Sequence, residues 1–197
     1  MTVDSMLELV GFVTVMICWC GFAAVFLFRP KQPPTVEQKR DPSSFRGIFL
    51  QFIGFAVTLS FRRVWLSPFT PGGQFVGLVF VAAAICIAIA SVLLVRSAVA
   101  TIGKEWSLTA RVVEGHRLAT TGAYRLTRNP IYTAMLGMLI STGLVAGHWI
   151  SLIIGLGFFL PGTFIRIRRE ESLLAETFGK EFEDYRSSVP ALIPGIY

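Results

Sequence analysis

Residues 130–147 read PIYTAMLGMLISTGLVAG, and residues 148–165 continue as HWISLIIGLGFFLPGTFI. No Asp, Glu, Lys or Arg interrupts either stretch. At ~1.5 Å of rise per residue, about 18 residues are just enough to cross ~30 Å of hydrocarbon. The two stretches meet at Gly147-His148, so the reading predicts a tight antiparallel hairpin of two spanning helices. Gly137, Gly143, Gly155, Gly157 and Gly162 lie along the pair, and small residues let helix backbones approach closely in lipid. Pro161 should bend the second helix near its end.

Three more apolar runs precede the hairpin. Met6 to Phe28 ends at Arg29-Pro30-Lys31 and has no basic region before it, so it reads as an uncleaved helix rather than a signal peptide. Phe45 to Phe61 is weaker and is closed by Arg62-Arg63, with Arg46 placed to snorkel. Gln74 to Val95 is the clearest of the three. The predicted spans are therefore 6–28, 45–61, 74–95, 130–147 and 148–165. With five spans, sixteen of the eighteen Lys and Arg fall on one side, leaving Arg62 and Arg63 on the other. That asymmetry predicts an N-terminus outside and a C-terminus in the cytoplasm. It also places Trp65 and Trp149 at the outer interface and Trp106 at the inner one.

The composition of the whole 197-residue chain agrees: 53% hydrophobic and only 15% charged. A soluble domain carries about 25% charged residues. An ordinary water-soluble enzyme, a disordered chain and a disulfide-stapled secreted module are excluded. The fold class expected is an all-α integral membrane protein, one domain over 1–197. The net charge of +6 reflects topology rather than nucleic-acid binding. Cys18, Cys20 and Cys86 lie within apolar runs without partners at ligand spacing, so neither disulfides nor a metal site is expected. No charged residue sits mid-span, which disfavours an ion channel or a proton-coupled transporter. Function is therefore sought on the cytoplasmic face, in segments 96–129 and 166–197.

The first segment contains His116-Arg-Leu118-Ala-Thr-Thr-Gly122-Ala-Tyr124-Arg-Leu-Thr-Arg128-Asn129-Pro130-Ile-Tyr132. Gly122 reads as a turn, and Leu108 to Val113 as a weak strand or hairpin. Pro130 suits the first turn of a helix and Asn129 its N-cap. The second segment runs Arg166-Ile-Arg168-Arg169-Glu170-Glu171 and then places Leu174, Phe178, Phe182 and Tyr185 on one helical stripe. That amphipathic helix should continue from the fifth span until Pro190 and Pro194 end it.

These two blocks, Gly-x-Tyr-Arg-x-x-Arg-x-Pro-x-Tyr before the hairpin and Arg-x-x-x-Glu-Glu-x-x-Leu with Phe-Gly-x-x-Phe-x-x-Tyr after it, resemble the isoprenylcysteine carboxyl methyltransferase family. That family belongs to a wider group of membrane phospholipid methyltransferases. The resemblance covers roughly residues 103–194. It implies transfer of a methyl group from S-adenosylmethionine, leaving S-adenosylhomocysteine, to a lipid-like or prenylated acceptor at the cytoplasmic membrane face. It also implies that His116, Leu118, Gly122, Tyr124, Arg128, Asn129, Pro130, Tyr132, Glu170 and Glu171 hold the cofactor. Asn129 stands where the family usually has His, and Ala123 where it usually has Pro. Asn can donate a hydrogen bond but cannot take up a proton near neutral pH.

The residue types suit that chemistry. An activated sulfonium methyl needs in-line positioning more than a strong base, unless the acceptor is an amine. A carboxylate pair suits an ammonium or ribose hydroxyls, an arginine suits a carboxylate, and a tyrosine suits adenine. Arg166 and Glu171 are the catalytic candidates, with Arg166 at the inner mouth of the fifth span orienting or neutralising the acceptor. Blander readings stand beside these: a juxtamembrane charge run for Glu170-Glu171, interfacial anchors for Tyr124 and Tyr132, a loop histidine for His116, a helix cap for Asn129. A phospholipid amine, a small thiol, or a non-catalytic membrane module that retains the fold are the alternatives. His148, at the outer hairpin tip, is assigned no role.

Overall fold

The computed structural model describes residues 3–28, 37–40, 44–60, 74–103, 111–113 and 118–196. Six helices follow in order: α1 (Val3–Leu27), α2 (Ser44–Ser60), α3 (Gln74–Ile102), α4 (Pro130–Val145), α5 (Trp149–Phe178) and α6 (Lys180–Ser188). Two short strands, β1 (Glu37–Arg40) and β2 (Arg111–Val113), form an antiparallel ribbon with Glu37 opposite Val113 and Arg40 opposite Arg111. The expected all-α class is thus amended by one ribbon. A strand does form inside the stretch 108–113, but its partner comes from the segment after α1 rather than from a local hairpin.

Among the described residues, three helices are long and apolar enough to cross a membrane: Met6–Leu27, Phe75–Ile102 and Trp149–Phe178. Phe45–Ser60 and Pro130–Val145 are apolar but shorter. The outward faces carry exposed large apolar side chains, among them Ile17, Phe49, Phe52, Leu93, Ile153 and Phe164. Large apolar side chains on the outside in this number suit hydrocarbon rather than water.

Helix ends differ from the expected span limits for identifiable reasons. α3 runs past Val95 to Ile102 because Ala98 is buried and Ile102 packs against a 3-10 turn at Gly122–Arg125. α4 stops at Val145, before Gly147. α5 begins at Trp149 because His148 and Ser151 form a capping box: His148 Nδ1 accepts from the Ile150 N–H at 3.3 Å, and Ser151 Oγ from the His148 N–H at 3.2 Å. His148 therefore has a structural task that its sequence position did not announce. α5 then continues for 30 residues, with Pro161 inside it. The amphipathic stripe is split. Gly179, at φ +52°, ends α5 and lets α6 start in a new direction.

The core has three parts. Val15 and Phe22 of α1 meet Ala88, Val95 and Val99 of α3 and Ala134 and Met138 of α4. Tyr132, Leu136 and Leu139 of α4 meet Phe159 and Ile167 of α5 and Leu192 of the tail. Ala98 meets Ala123 and Tyr124. Trp19 adds a polar link from α1 to α4, donating its indole N–H to Thr142 Oγ1 at 2.9 Å.

The glycines expected along the α4–α5 pair serve several interfaces. A Cβ at Gly155 would stand 2.1 Å from Thr58 Oγ1 and 2.7 Å from the Gly54 carbonyl, and one at Gly162 would stand 2.7 Å from the Gly47 carbonyl. Those two belong to a seam between α2 and α5. Gly137 faces Ser91 of α3, Gly143 faces Leu152 of α5, and Gly157 has nothing within 4 Å. The tightest helix pairing is thus α2 against α5, helices remote in sequence.

Candidate functional site

The site lies where the residues before α4 meet the far end of α5. The 3-10 turn at Gly122–Arg125 opens on Gly122, whose φ of +59° admits the turn at little cost. A Cβ there would come within 2.6 Å of Thr101 Oγ1, so the turn is seated directly on the end of α3. Tyr124 is consequently buried. Burial pushes its phenol well above the ordinary tyrosine range, with the Glu170 charge adding to the rise. Its carbonyl accepts from the Tyr185 hydroxyl of α6 at 2.7 Å. The Tyr185 phenol is itself pushed up to about 12, chiefly by burial, which keeps it protonated and donating.

Glu171 is the hub. Arg128 Nε donates to its Oε1 at 2.9 Å and Nη2 reaches its Oε2 at 3.5 Å. Asn129 Nδ2 donates to the same Oε1 at 3.2 Å, and Arg186 Nε of α6 lies 3.9 Å from Oε2. The side chains of Arg128 and Glu171 are only 11% and 12% exposed, so their attraction is little screened. Asn129 occupies the N-cap position of α4 yet makes no side-chain capping bond. Its amide is spent instead on Glu171 and on the Ala191 carbonyl at 3.0 Å.

Glu170 sits one residue earlier on α5 and gathers a second group of partners. The Tyr132 hydroxyl donates to it. Arg166 Nη2 lies 3.7 Å away, one helical turn before it. The Arg166 guanidinium also stands over the Tyr132 ring, 5.0 Å from its centroid, within cation–π range. Arg166 is buried, and its Nη1 donates to Gln51 Oε1 of α2 at 3.2 Å.

The tail after α6 closes over this layer. Arg128 Nη1 donates to the Arg186 carbonyl at 2.8 Å and also to that of Val189. The Arg128 N–H donates to the Pro190 carbonyl at 2.8 Å, Thr127 Oγ1 to that of Ala191 at 2.9 Å, and Thr133 Oγ1 to that of Leu192 at 2.5 Å. Four consecutive carbonyls are thereby satisfied by the segment that precedes and opens α4.

The two sequence blocks therefore meet. Arg128, Asn129 and Glu171 form one group and Tyr132, Arg166 and Glu170 another, set side by side because Glu170 and Glu171 are successive on α5. Tyr124 adjoins them through Tyr185, and Pro130 is buried at the first position of α4. Leu118 is half-buried just before the turn and has no polar part in the network. His116 lies outside the described residues. Sequence reasoning missed Gln51, Thr127, Thr133, Tyr185 and the carbonyls of residues 189–192. Gln51 carried a signal as an amide within an apolar run, and Tyr185 as the last residue of the second motif block. Backbone acceptors carry none.

A carboxylate pair, two phenols and buried guanidinium groups in one layer are chemically suited to a ligand bearing an ammonium, hydroxyls, a carboxylate and an aromatic base. The sequence profile of the phospholipid methyltransferase family matches residues 78–181. The protein-S-isoprenylcysteine O-methyltransferase of Dictyostelium discoideum is 34% identical over 147 residues, 72% of this chain and 60% of that protein. The enzyme of the same name from Schizosaccharomyces pombe is 29% identical over 100 residues, 50% of this chain and 42% of that one. A nickel-cobalt-cadmium resistance protein, NccN, of Alcaligenes xylosoxydans xylosoxydans is 32% identical over 99 residues, 48% of this chain and 45% of that one. These alignments cover from two-fifths to three-fifths of each relative's length.

Proposed function

This chain belongs to the phospholipid methyltransferase family, and we propose from that premise that it moves a methyl group from S-adenosylmethionine to an acceptor dissolved in the membrane, of the isoprenylcysteine carboxylate type. The observation that carries the reading is the contact between the two motif blocks: Arg128 and Asn129 on Glu171, and Tyr132 on Glu170, across about forty residues of apolar helix.

Bound S-adenosylmethionine would supply a methyl group already activated by its sulfonium charge. Glu170, with the Tyr132 hydroxyl, offers acceptors and a donor to an ammonium or to hydroxyls. Glu171 offers the second carboxylate, and Arg128 and Asn129 hold its oxygens in place. Tyr124, Gly122, Leu118 and Pro130 shape the wall around the turn, and His116 joins the set through the resemblance alone. Arg166, buried at the membrane side of the layer, orients and neutralises an acceptor carboxylate so that its oxygen faces the methyl donor in line. An acceptor with a long apolar tail reaches Arg166 from the bilayer, while the donor arrives from water. The charge asymmetry supports a cytoplasmic location for this layer, with the N-terminus on the opposite side.

Asn129 bears on the choice of acceptor. It supplies the donor contact to Glu171 that an imidazole N–H could also make, but no proton uptake. A carboxylate or thiolate acceptor needs none, whereas a phospholipid amine must lose a proton. That favours the carboxylate type over the amine.

Calorimetric titration of S-adenosylhomocysteine into the detergent-purified chain tests the donor site. The native chain should bind, and Glu171→Ala should bind about tenfold more weakly or worse, because charged hydrogen bonds of this kind are lost. No binding, or equal binding by the variant, overturns the assignment. Methyl-labelled donor supplied with N-acetyl-S-farnesylcysteine, phosphatidylethanolamine or a small thiol then identifies the acceptor class.

A further inference from the structure

Gln51 is an amide in an apolar helix, and the structure buries it to 3% exposure. It shares one face of α2 with Gly47, Gly54 and Thr58, spaced by four, three and four residues. That face runs antiparallel along α5, Gly47 meeting Gly162 and Gly54 meeting Gly155. The backbones are so close that a Cβ on Gly162 would stand 3.0 Å from the Gln51 N. The side chain is therefore committed to the seam between the two helices.

Its contacts there are directional. Gln51 Nε2 donates to Thr163 Oγ1 at 2.9 Å, and Oε1 accepts from Arg166 Nη1 at 3.2 Å. Guanidinium has donors only, so the amide oxygen must face Arg166. Thr163, Arg166 and Glu170 follow at steps of three and four and share a face of α5. Gln51 on α2, Tyr132 on α4 and Glu170 on α5 thus bound the guanidinium on three sides. A neutral acceptor fixes the group without adding a second negative charge to the one Glu170 already supplies, which a carboxylate at position 51 would do. An aliphatic side chain there would leave a buried N–H without this acceptor.

We propose that Gln51 is a positioning residue, one that holds Arg166 in the orientation needed to receive an anionic, lipid-tailed acceptor. The inference rests on the reading of Arg166 as the acceptor-orienting group. It predicts an effect on recognition of negative charge rather than on the fold.

The test compares the native chain with Gln51→Leu and Gln51→Glu. Methylation of N-acetyl-S-farnesylcysteine is inhibited competitively with S-farnesylthioacetic acid and with its uncharged primary amide. The native chain should prefer the acid. Gln51→Leu should cut that preference about tenfold, the usual scale of one lost hydrogen bond to a charged group. Gln51→Glu should cut it further, because the new carboxylate competes for Arg166. Inhibition by the amide should change less than about twofold in both, as expected for a contact that senses only charge. Should either variant fail to fold, Thr163→Val removes the hydroxyl that orients the amide and should lower the same ratio several-fold. If acid and amide weaken together, or neither weakens, Gln51 only packs α2 on α5 and the proposal falls alone. If the native chain methylates no acceptor, the reading of the site falls and the role of Gln51 falls with it.

Discussion

Arg128 is the most informative side chain to remove. It joins three pieces of chain: its own segment before α4, Glu171 on α5, and the tail at Arg186 and Val189. Arg128→Ala leaves Glu171, 12% exposed, with Asn129 and the more distant Arg186, and strips a donor from two tail carbonyls. Breaking a buried ion pair from one side costs about 3–5 kcal/mol. The remaining partners of Glu171 and its slight exposure place this case at the lower end, about 3 kcal/mol. For a chain of this size each kcal/mol moves the melting temperature by about 2–4 °C, so a fall of roughly 6–12 °C is expected. Arg128→Lys should recover less than half of it, because one ammonium cannot bridge a carboxylate and two carbonyls in the manner of a planar fork. Thermal unfolding in detergent measures the first effect. Limited trypsin digestion checks the hold on α6 and the tail: the Arg186 side chain is already exposed, and loosening of its helix should speed cleavage after it. Arg128→Ala melting within about 2 °C of native, with cleavage after Arg186 no faster than in the native chain, would refute the idea that this guanidinium holds the tail.

Two further outcomes follow from the geometry. Gly155→Ala forces a Cβ to within 2.1 Å of Thr58 Oγ1 and 2.7 Å of the Gly54 carbonyl, so α2 must move, at a cost of about 1–3 kcal/mol. Gly157→Ala, with nothing within 4 Å, should be neutral or slightly stabilising. Equal effects on thermal stability would contradict the α2–α5 seam. Tyr185 binds its proton more tightly folded than unfolded, its phenol raised to about 12, so folding stability should decline as pH rises from the unfolded value near 10 toward 12. Tyr185→Phe should flatten that part of the pH–stability curve and cost about 1 kcal/mol at neutral pH through the lost bond to the Tyr124 carbonyl. An unchanged alkaline slope would refute it.

Apolar runs and Lys/Arg placement made the helices legible before any coordinates, because a membrane demands long uncharged stretches. The family resemblance implied that the two blocks come together around one ligand, but not that Arg128 and Asn129 bind Glu171 directly. Helix partners were not legible in the same way. Gly155 and Gly162 show only that something comes close, and hydropathy does not say whether that is α4 or α2. Asn129 illustrates a second limit. Its position before Pro130 satisfies every local rule for an N-cap, yet a carboxylate and a tail carbonyl, both distant in sequence, take its amide instead. Gly179 shows a third: Leu174, Phe178, Phe182 and Tyr185 keep a helical period across a break, so periodicity alone reads one helix where a left-handed glycine makes two.

What the site requires of the fold is one rigid element that extends from hydrocarbon into the polar layer, and α5 meets that requirement. Its first half supplies Gly155 and Gly162, which bring α2 close enough for Gln51 to reach Arg166. Its second half supplies Glu170 and Glu171, which gather Tyr132, Arg128 and Asn129. Arg166 stands at the junction, with a membrane helix on one side and the carboxylate cluster on the other. A charge is costly at such a depth unless its hydrogen bonds and counter-charge are supplied. Here they come from Gln51, from Glu170 and from the face of Tyr132. In the function proposed above, this buried cation, with the Gln51 amide beside it, would receive an anion whose apolar tail stays in the bilayer. That places the polar head of such a molecule within one helical turn of the carboxylate pair proposed to hold the methyl donor.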